Sequence, residues 1–256
     1  MNQLLRDKKI VIVGGTGGIG LSAAKAFIQQ GAKVVAMGLS PDRNNTENLL
    51  FLEENATRED SAEKAIQLCL KTFDGFDALY HVAGGSGRKW GDGPLHELEL
   101  EAWEKTLALN LTSVMLSNRA AIRFFLAQQQ SGSILNLGSV LASAPSPRYF
   151  YTHSYATAKA AIIGFSKSIA AYYAPKNIRV NVLAPGLTNT PMAQRAARDK
   201  DIQTYTKTKQ PLKEGRMIET SDLDDAAIYF LSDGSGSTTG QVLSVDGGWS
   251  LSEGQY

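Results

Sequence analysis

The chain has 256 residues, 43% hydrophobic and 20% charged, which is a globular composition and not a disordered one. Lys and Arg number 26 against 25 Asp and Glu, and the resulting net charge of +1 gives no long-range field toward nucleic acid or an anionic membrane. Cys69 is the only cysteine, so an intramolecular disulfide and a multi-cysteine metal site are excluded, and a reducing, cytoplasmic setting is expected. No stretch approaches the roughly 18 apolar residues of a membrane helix.

The first apolar run, Ile10–Val13, is too short for the core of a signal peptide and reads as a buried strand. It leads into Gly14-Gly15-Thr16-Gly17-Gly18-Ile19-Gly20 and then a helical pattern, Leu21–Gln30. Gly14 and Gly18, without side chains, would let the backbone approach a pyrophosphate, and the helix N-terminus would offer that anion free N–H groups. Gly20 would let the helix pack close to the sheet. Strand-like runs follow at Lys33–Met37 and Leu49–Leu52, then a helix at Glu59–Phe73 and a strand at Ala78–Val82. A glycine-rich loop, Gly84–Gly93, precedes a long helical pattern at Ala102–Gln129 and a strand at Ser133–Leu137. A helix at Tyr155–Tyr173, a strand at Arg179–Leu183, a helix at Ser221–Leu231 and a strand at Gln241–Val245 complete the series.

Short apolar strands alternating with helices predict one α/β domain over residues 1–256, a doubly wound, Rossmann-type parallel sheet of about seven strands with helices on both faces. The polar segment Thr188–Glu219 carries Arg195, Arg198, Lys200, Lys207, Lys209, Lys213 and Arg216. It leaves from the carboxyl edge of the sheet, where ligands bind, and reads either as a substrate lid or as a solvated helix face.

Tyr155 and Lys159 are four apart on a predicted helix and share a face. A neighbouring ammonium stabilises a phenolate, so the pair can serve as a general acid/base. The same spacing occurs at Tyr172–Lys176 and Tyr205–Lys209. Pro175 should end the helix inside the first of these, and the second lies in the basic segment with no strand beside it. Only Tyr155 follows a strand ending in Gly138-Ser139 and precedes one ending in Pro185-Gly186. Ser139 stands where its hydroxyl could meet a substrate oxygen. Cys69 reads as buried packing and His81 as a core histidine, while His153 is a weaker candidate for the substrate pocket. No cluster of His and carboxylates has metal-ligand spacing.

Together these stations resemble the short-chain dehydrogenase/reductase family. They run in order: Gly14…Gly18-Ile19-Gly20, Ala83-Gly84, Asn110, Ser139, Tyr155…Lys159, Pro185-Gly186…Thr190 and Asp246-Gly247-Gly248. The resemblance implies an oxidoreductase that interconverts a secondary alcohol and a ketone with NAD or NADP, using Asn110, Ser139, Tyr155 and Lys159. It implies that Asn110 kinks its helix and holds a water linked to Lys159. It assigns cofactor contacts to Gly14, Thr16, Gly17, Gly18, Ile19, Gly20, Gly38, Asn55, Ala56, Ala83, Gly84, Tyr155, Lys159, Pro185, Gly186, Thr188 and Thr190. A homotetramer assembled through the long fourth and fifth helices is implied as well, with a small-molecule substrate and no nucleic-acid or membrane partner.

Several positions depart from the family pattern. Val13 replaces a threonine, Asn55 an aspartate, and His81-Val82 a pair of asparagines. The interval from Ser139 to Tyr155 is longer than usual, with Pro145, Pro147 and Tyr149-Phe150-Tyr151. The strand Lys33–Met37 ends in Gly38-Leu39, without the acid that selects NAD. Arg43, beside Asp42, is the nearest group for a 2′-phosphate, so discrimination between the cofactors should be weak with a slight lean to NADP. A non-catalytic dinucleotide sensor on this fold, or a lyase or epimerase using transient oxidation, are the alternatives.

Overall fold

The computed structural model describes residues 3–39 and 44–253. Seven strands form one sheet: β1 (Lys9–Val13), β2 (Lys33–Gly38), β3 (Leu49–Glu53), β4 (Ala78–His81), β5 (Gly132–Leu137), β6 (Ile178–Pro185) and β7 (Val242–Val245). Their order is β3-β2-β1-β4-β5-β6-β7, and every neighbouring pair is parallel. The main helices are α1 (Gly18–Gln29), α2 (Ser61–Phe73), α3 (Leu100–Leu107), α4 (Ser113–Ala127) and α5 (His153–Tyr173). Two short ones, α6 (Gln194–Arg198) and α7 (Lys200–Lys209), precede α8 (Asp224–Leu231).

Alternation along the central strands explains why they read as unbroken apolar runs. Ile10, Ile12, Val34 and Ala36 face one layer with Phe27 of α1 and Ile228 of α8. Val11, Val13, Val35 and Met37 face the other with Ile66 of α2 and Phe125 of α4. Both faces are covered, so each strand buries both of its sides.

The chain winds outward from β1 in both directions. A crevice therefore opens between the carboxyl ends of β1 and β4, where the order reverses. The backbone fixes that junction tightly. Gly14 and Gly15 N–H both donate to Met37 O (2.8 and 2.9 Å), and Val82 and Ala83 N–H both donate to Val13 O (2.7 and 2.9 Å).

The expected helix over Ala102–Gln129 is interrupted. Between α3 and α4 lies a π-helical turn, Ala108–Thr112, with buried Asn110 at its centre. Such turns insert one residue into a helix and re-aim the side chains around it.

Candidate active site

The catalytic side chains singled out from the sequence lie on three elements at the carboxyl edge of the sheet: Ser139 after β5, Asn110 in the π turn, and Tyr155 and Lys159 on α5. In the glycine loop, Gly14 has φ +86° and an added Cβ would stand 2.5 Å from Ala83 N, so only glycine lets β1 turn against the end of β4. At Gly17 an added Cβ would meet nothing within 4 Å, while Gly18, with φ +50°, has as its nearest neighbour Thr190 Cγ2, 3.6 Å from such a Cβ. These backbones thus border open space between the α1 N-terminus and the segment after β6. The space fits a pyrophosphate: it is lined by backbone rather than side chains and lies at a helix N-terminus. Gly20 is buried in the first turn of α1, and Ile19 is half-buried beside it.

The catalytic candidates come from three elements. Lys159 is 3% exposed, and its Nζ donates to Leu137 O at the end of β5 (2.8 Å) and lies 5.6 Å from the centre of the Tyr155 ring. A Cβ at Gly84 would stand 3.5 Å from that Nζ and 2.7 Å from Asn110 Oδ1, so glycine there leaves room for both groups. Burial pulls the Lys159 ammonium down to about 8. Burial pushes the Tyr155 phenol above its ordinary value, and a hydrogen bond with Ser139 offsets this in part. The protein groups alone therefore hold Tyr155 as a protonated donor.

Asn110 lies at the π turn, where the kink was expected. Its side chain makes three hydrogen bonds to protein: Nδ2 donates to Gly85 O (2.8 Å) and Thr106 O (2.9 Å), and Oδ1 accepts from Gly85 N (3.0 Å). It ties the loop after β4 to the turn between α3 and α4. Ser139, 7% exposed, accepts from Leu141 N (3.2 Å) and so caps the turn that follows β5.

Asn110, Ser139, Tyr155 and Lys159 thus gather at one edge, next to a glycine cradle at the switch point. Comparison with known proteins decides the family. Residues 14–250 match the family model described as enoyl-(acyl carrier protein) reductase. The chain is 30% identical to cis-4-hydroxycyclohexanecarboxylate dehydrogenase of Sinomonas cyclohexanicum, covering 97% of this chain and 99% of that protein. It is 33% identical to the 3-oxoacyl-(acyl-carrier-protein) reductase of Chlamydia trachomatis serovar D, with the same coverage of 97% and 99%. Its fold superposes on NADPH-dependent 3-quinuclidinone reductase from Rhodotorula rubra with a TM-score of 0.86 and 30% identity, covering 98% of this chain and 94% of that one. The chain belongs to the short-chain dehydrogenase/reductase family. It is an NAD(P)-dependent oxidoreductase that acts on small molecules.

Within this short-chain dehydrogenase/reductase the remaining expected contacts fall at the same edge, with differences. Gly38 closes β2, and a Cβ there would meet Thr16 Oγ1 at 2.4 Å. Thr16 therefore fills the place of an acidic side chain at residue 38, and Leu39 beyond it is 67% exposed. Asp42 and Arg43 lie outside the described residues. Asn55, exposed after β3, uses its Oδ1 locally, accepting from Thr57 N (3.0 Å) and Thr57 Oγ1 (2.9 Å), so Nδ2 is the group left for a base. Ala56 packs against the α2–α4 layer. Pro185 ends β6, Gly186 N donates to Val245 O (3.1 Å), and Thr188 is buried with its hydroxyl on Gly186 O (3.1 Å).

The departures also have places. His81 is buried, with Nδ1 2.7 Å from Ser117 Oγ and Nε2 3.3 Å from Ser113 Oγ. Burial first, and the nearby Lys159 charge second, pull it down to about 3, so it stays neutral as a core histidine. Cys69 is buried, and burial pushes its thiol up to about 12, which leaves it inert at neutral pH. His153 is exposed at the first residue of α5. The rival pairs separate: Tyr172 is 77% exposed, and Lys209 donates to Ser252 O while Tyr205 accepts from Ser146 Oγ (2.8 Å).

One residue of the site has no motif to announce it. Asp92, in the glycine-rich loop after β4, is 3% exposed and accepts from Ser154 N and Tyr155 N, both at 2.9 Å. It caps the helix that carries Tyr155. The only sequence signal was an acid among the glycines of that loop, facing a helix start sixty residues away. No group of three or more His, Cys, Asp and Glu is placed to hold a metal ion among the described residues.

Proposed function

We propose that the enzyme interconverts a secondary alcohol and a ketone, with Tyr155 as the group that exchanges the proton on the substrate oxygen. The observation that carries this reading is the convergence of Tyr155, Ser139 and Lys159 at the mouth of the glycine cradle. A bound nicotinamide would supply or accept the hydride at the reacting carbon. Gly14, Gly17, Gly18 and Thr190 would border its diphosphate end, and Thr188 with Pro185-Gly186 its ring end.

In the reducing direction Tyr155 gives its proton to the carbonyl oxygen while the Ser139 hydroxyl donates to the same oxygen. Burial keeps the tyrosine protonated for that step. Lys159, held to about 8 and anchored on Leu137 O, carries a proton that it can release near neutral pH to restore the phenol. Asn110 acts by holding Gly85 and the π turn against this group. A relative named as a hydroxycyclohexanecarboxylate dehydrogenase and a structural neighbour named as a quinuclidinone reductase agree with alcohol–ketone chemistry.

Residues 188–219 act in this reading as a lid over the substrate, in one catalytic domain spanning the chain. No helix among the described residues is long and apolar enough to cross a membrane, and the lone cysteine is buried and reduced. These features support a cytoplasmic location. Leu126 on α4 and Tyr172 on α5, both exposed, support a tetramer assembled through those helices.

Tyr155→Phe tests the assignment. It should lower turnover by about 10²–10⁴-fold, the range of general acid–base catalysis, while cofactor affinity stays near wild type. Retention of wild-type turnover, followed by nicotinamide absorbance over a panel of alcohols and ketones, would remove Tyr155 from the mechanism. Turnover of a substrate without net absorbance change would point instead to a lyase or epimerase.

A further inference from the structure

Three loops around the mouth of the site bring arginines together with no acid to answer them. Arg88, in the loop after β4, donates Nη2 to Tyr149 O (2.9 Å) and lies 5.2 Å over the Tyr151 ring. Arg195, from α6, donates Nη2 to the same oxygen (3.1 Å) and lies 6.0 Å over the Phe150 ring. Arg148 stacks on Tyr149 from outside, 5.1 Å from its centre. Among the described residues no carboxylate is within ion-pair distance of any of the three. Asp92 is the acid whose field reaches Arg88, and both its oxygens are spent on the α5 N-terminus.

Two guanidinium groups sharing one carbonyl oxygen repel each other, and Arg88 is half-buried, so its charge has also lost part of its hydration. Burial, and then Arg195, accordingly lower Arg88 from its ordinary value. Arg195 is exposed and keeps its water, and Arg88 has a hydrogen bond with Tyr151, so the repulsion is answered only in part, and an anion between the two forks would answer the rest. The neighbouring rings of Tyr149, Phe150 and Tyr151 suit a carbon skeleton beside the anion. Tyr151 stands four residues before Tyr155, so their Cα atoms are at most about 14 Å apart and an anion here would lie beside the segment that carries the reacting centre.

We propose that the substrate is a hydroxy or keto acid whose carboxylate is held by Arg88 and Arg195. The proposal rests on the reading of Tyr155 as the reacting centre, and its test is independent of turnover. Calorimetry would compare butanoate, hexanoate and cyclohexanecarboxylate with their primary amides, on full-length wild type, Arg88→Gln, Arg195→Gln and Tyr155→Phe. The acids should bind the wild type about tenfold or more tightly than the amides, and each glutamine should cut that advantage by about tenfold while leaving amide binding alone. Arg88→Lys, which keeps the charge and loses the fork, should fall between and serves if the glutamine variant misfolds. Tyr155→Phe should keep the preference, so an error about the proton donor and an error about the anion site give different results. Acids that bind no better than amides, a preference that survives in both arginine variants, or inorganic phosphate binding more tightly than every acid would overturn the proposal.

Discussion

Asp92 illustrates how much a single side chain can decide. A buried carboxylate accepting two N–H groups at the start of α5 satisfies donors that a helix leaves unpaired and opposes the positive end of its dipole. It also sets the height of Tyr155, whose own N–H is one of the two. Asp92→Ala should cost about 1–2 kcal/mol, as loss of a helix cap does, and lower kcat with little change in cofactor affinity. Asp92→Asn, which keeps an acceptor, should recover part of both. A thermal melt and a pH profile of kcat check this; an alanine variant with unaltered kcat would show that the cap only holds the fold. At Gly38 the same scale governs cofactor choice. An acid at residue 38 would collide with Thr16, whereas exposed Leu39 has room for one. Leu39→Asp should therefore weaken NADP binding more than NAD binding, because a carboxylate repels the 2′-phosphate and accepts from ribose hydroxyls. Dissociation constants for both cofactors test it, and equal loss for the two would count against residue 39 as the determinant.

At the scale of elements, the polar segment after β6 is more ordered than its composition implies. It forms α6 and α7, and Tyr205 of α7 packs on Tyr149 (5.1 Å between ring centres) and Trp249 (6.0 Å). Its hydroxyl accepts from Ser146, and Phe150 meets Trp249 at 5.6 Å. The extra residues between Ser139 and Tyr155 are thus the surface against which α7 packs. Gln210, fully buried, fastens the base by accepting from Leu187 N (3.0 Å) and donating to Leu187 O (3.2 Å) and Arg216 O (3.0 Å). The outer contacts should open before the base does. Tyr205→Ala removes one hydrogen bond and two ring contacts, together about 2 kcal/mol, and if the segment is the proposed lid its open form should become roughly thirtyfold more populated. Limited proteolysis between residues 194 and 216 should speed up accordingly and slow again with cofactor and substrate. Cleavage unaffected by both the substitution and the ligands would mark this segment as a fixed surface.

For the molecule as a whole, one buried carboxylate links stability to pH. Asp224, 8% exposed at the start of α8, accepts from Ser22 Oγ of α1 (2.8 Å), while its Oδ1 and the nearby Tyr80 hydroxyl have no partner. Burial raises its pKa from 3.8 to about 6. The native state thus holds a proton that the unfolded chain has already lost between those values, and stability falls as pH rises through that window. The full effect, complete above about pH 6, is at most on the order of 3 kcal/mol. Asp224→Asn removes this titration but not that of His81, which acts in the opposite sense, so the stability difference between variant and wild type should grow in the variant's favour from about pH 4.5 to pH 7. Melting temperatures at about pH 4.5 and pH 7 measure it. Parallel pH dependence in the two proteins would place the effect elsewhere.

The architecture was legible in the sequence because strands buried on both faces must be apolar throughout. Ile10–Val13 and Lys33–Met37 announce themselves for that reason, and the alternating helices then leave few topologies open. The glycine loop was legible because a backbone that turns at φ +86° against Ala83 N tolerates only glycine at residue 14. Tyr155 could be chosen over Tyr205 from its neighbours in sequence, since both flanking strands end at the same sheet edge. Other features depend on residues far apart in the chain, and no local pattern encodes them. The break at Asn110 arises because its amide must reach Gly85 across the edge of the sheet, within an otherwise continuous helical pattern. The cap of α5 comes from Asp92, and the meeting of Arg88 with Arg195 from a loop and a short helix that both bond Tyr149 O. Burial likewise pushes the Tyr155 phenol up and moves the Asp224 titration toward neutrality, because the loss of water around a side chain is a property of the packed molecule and not of the residue.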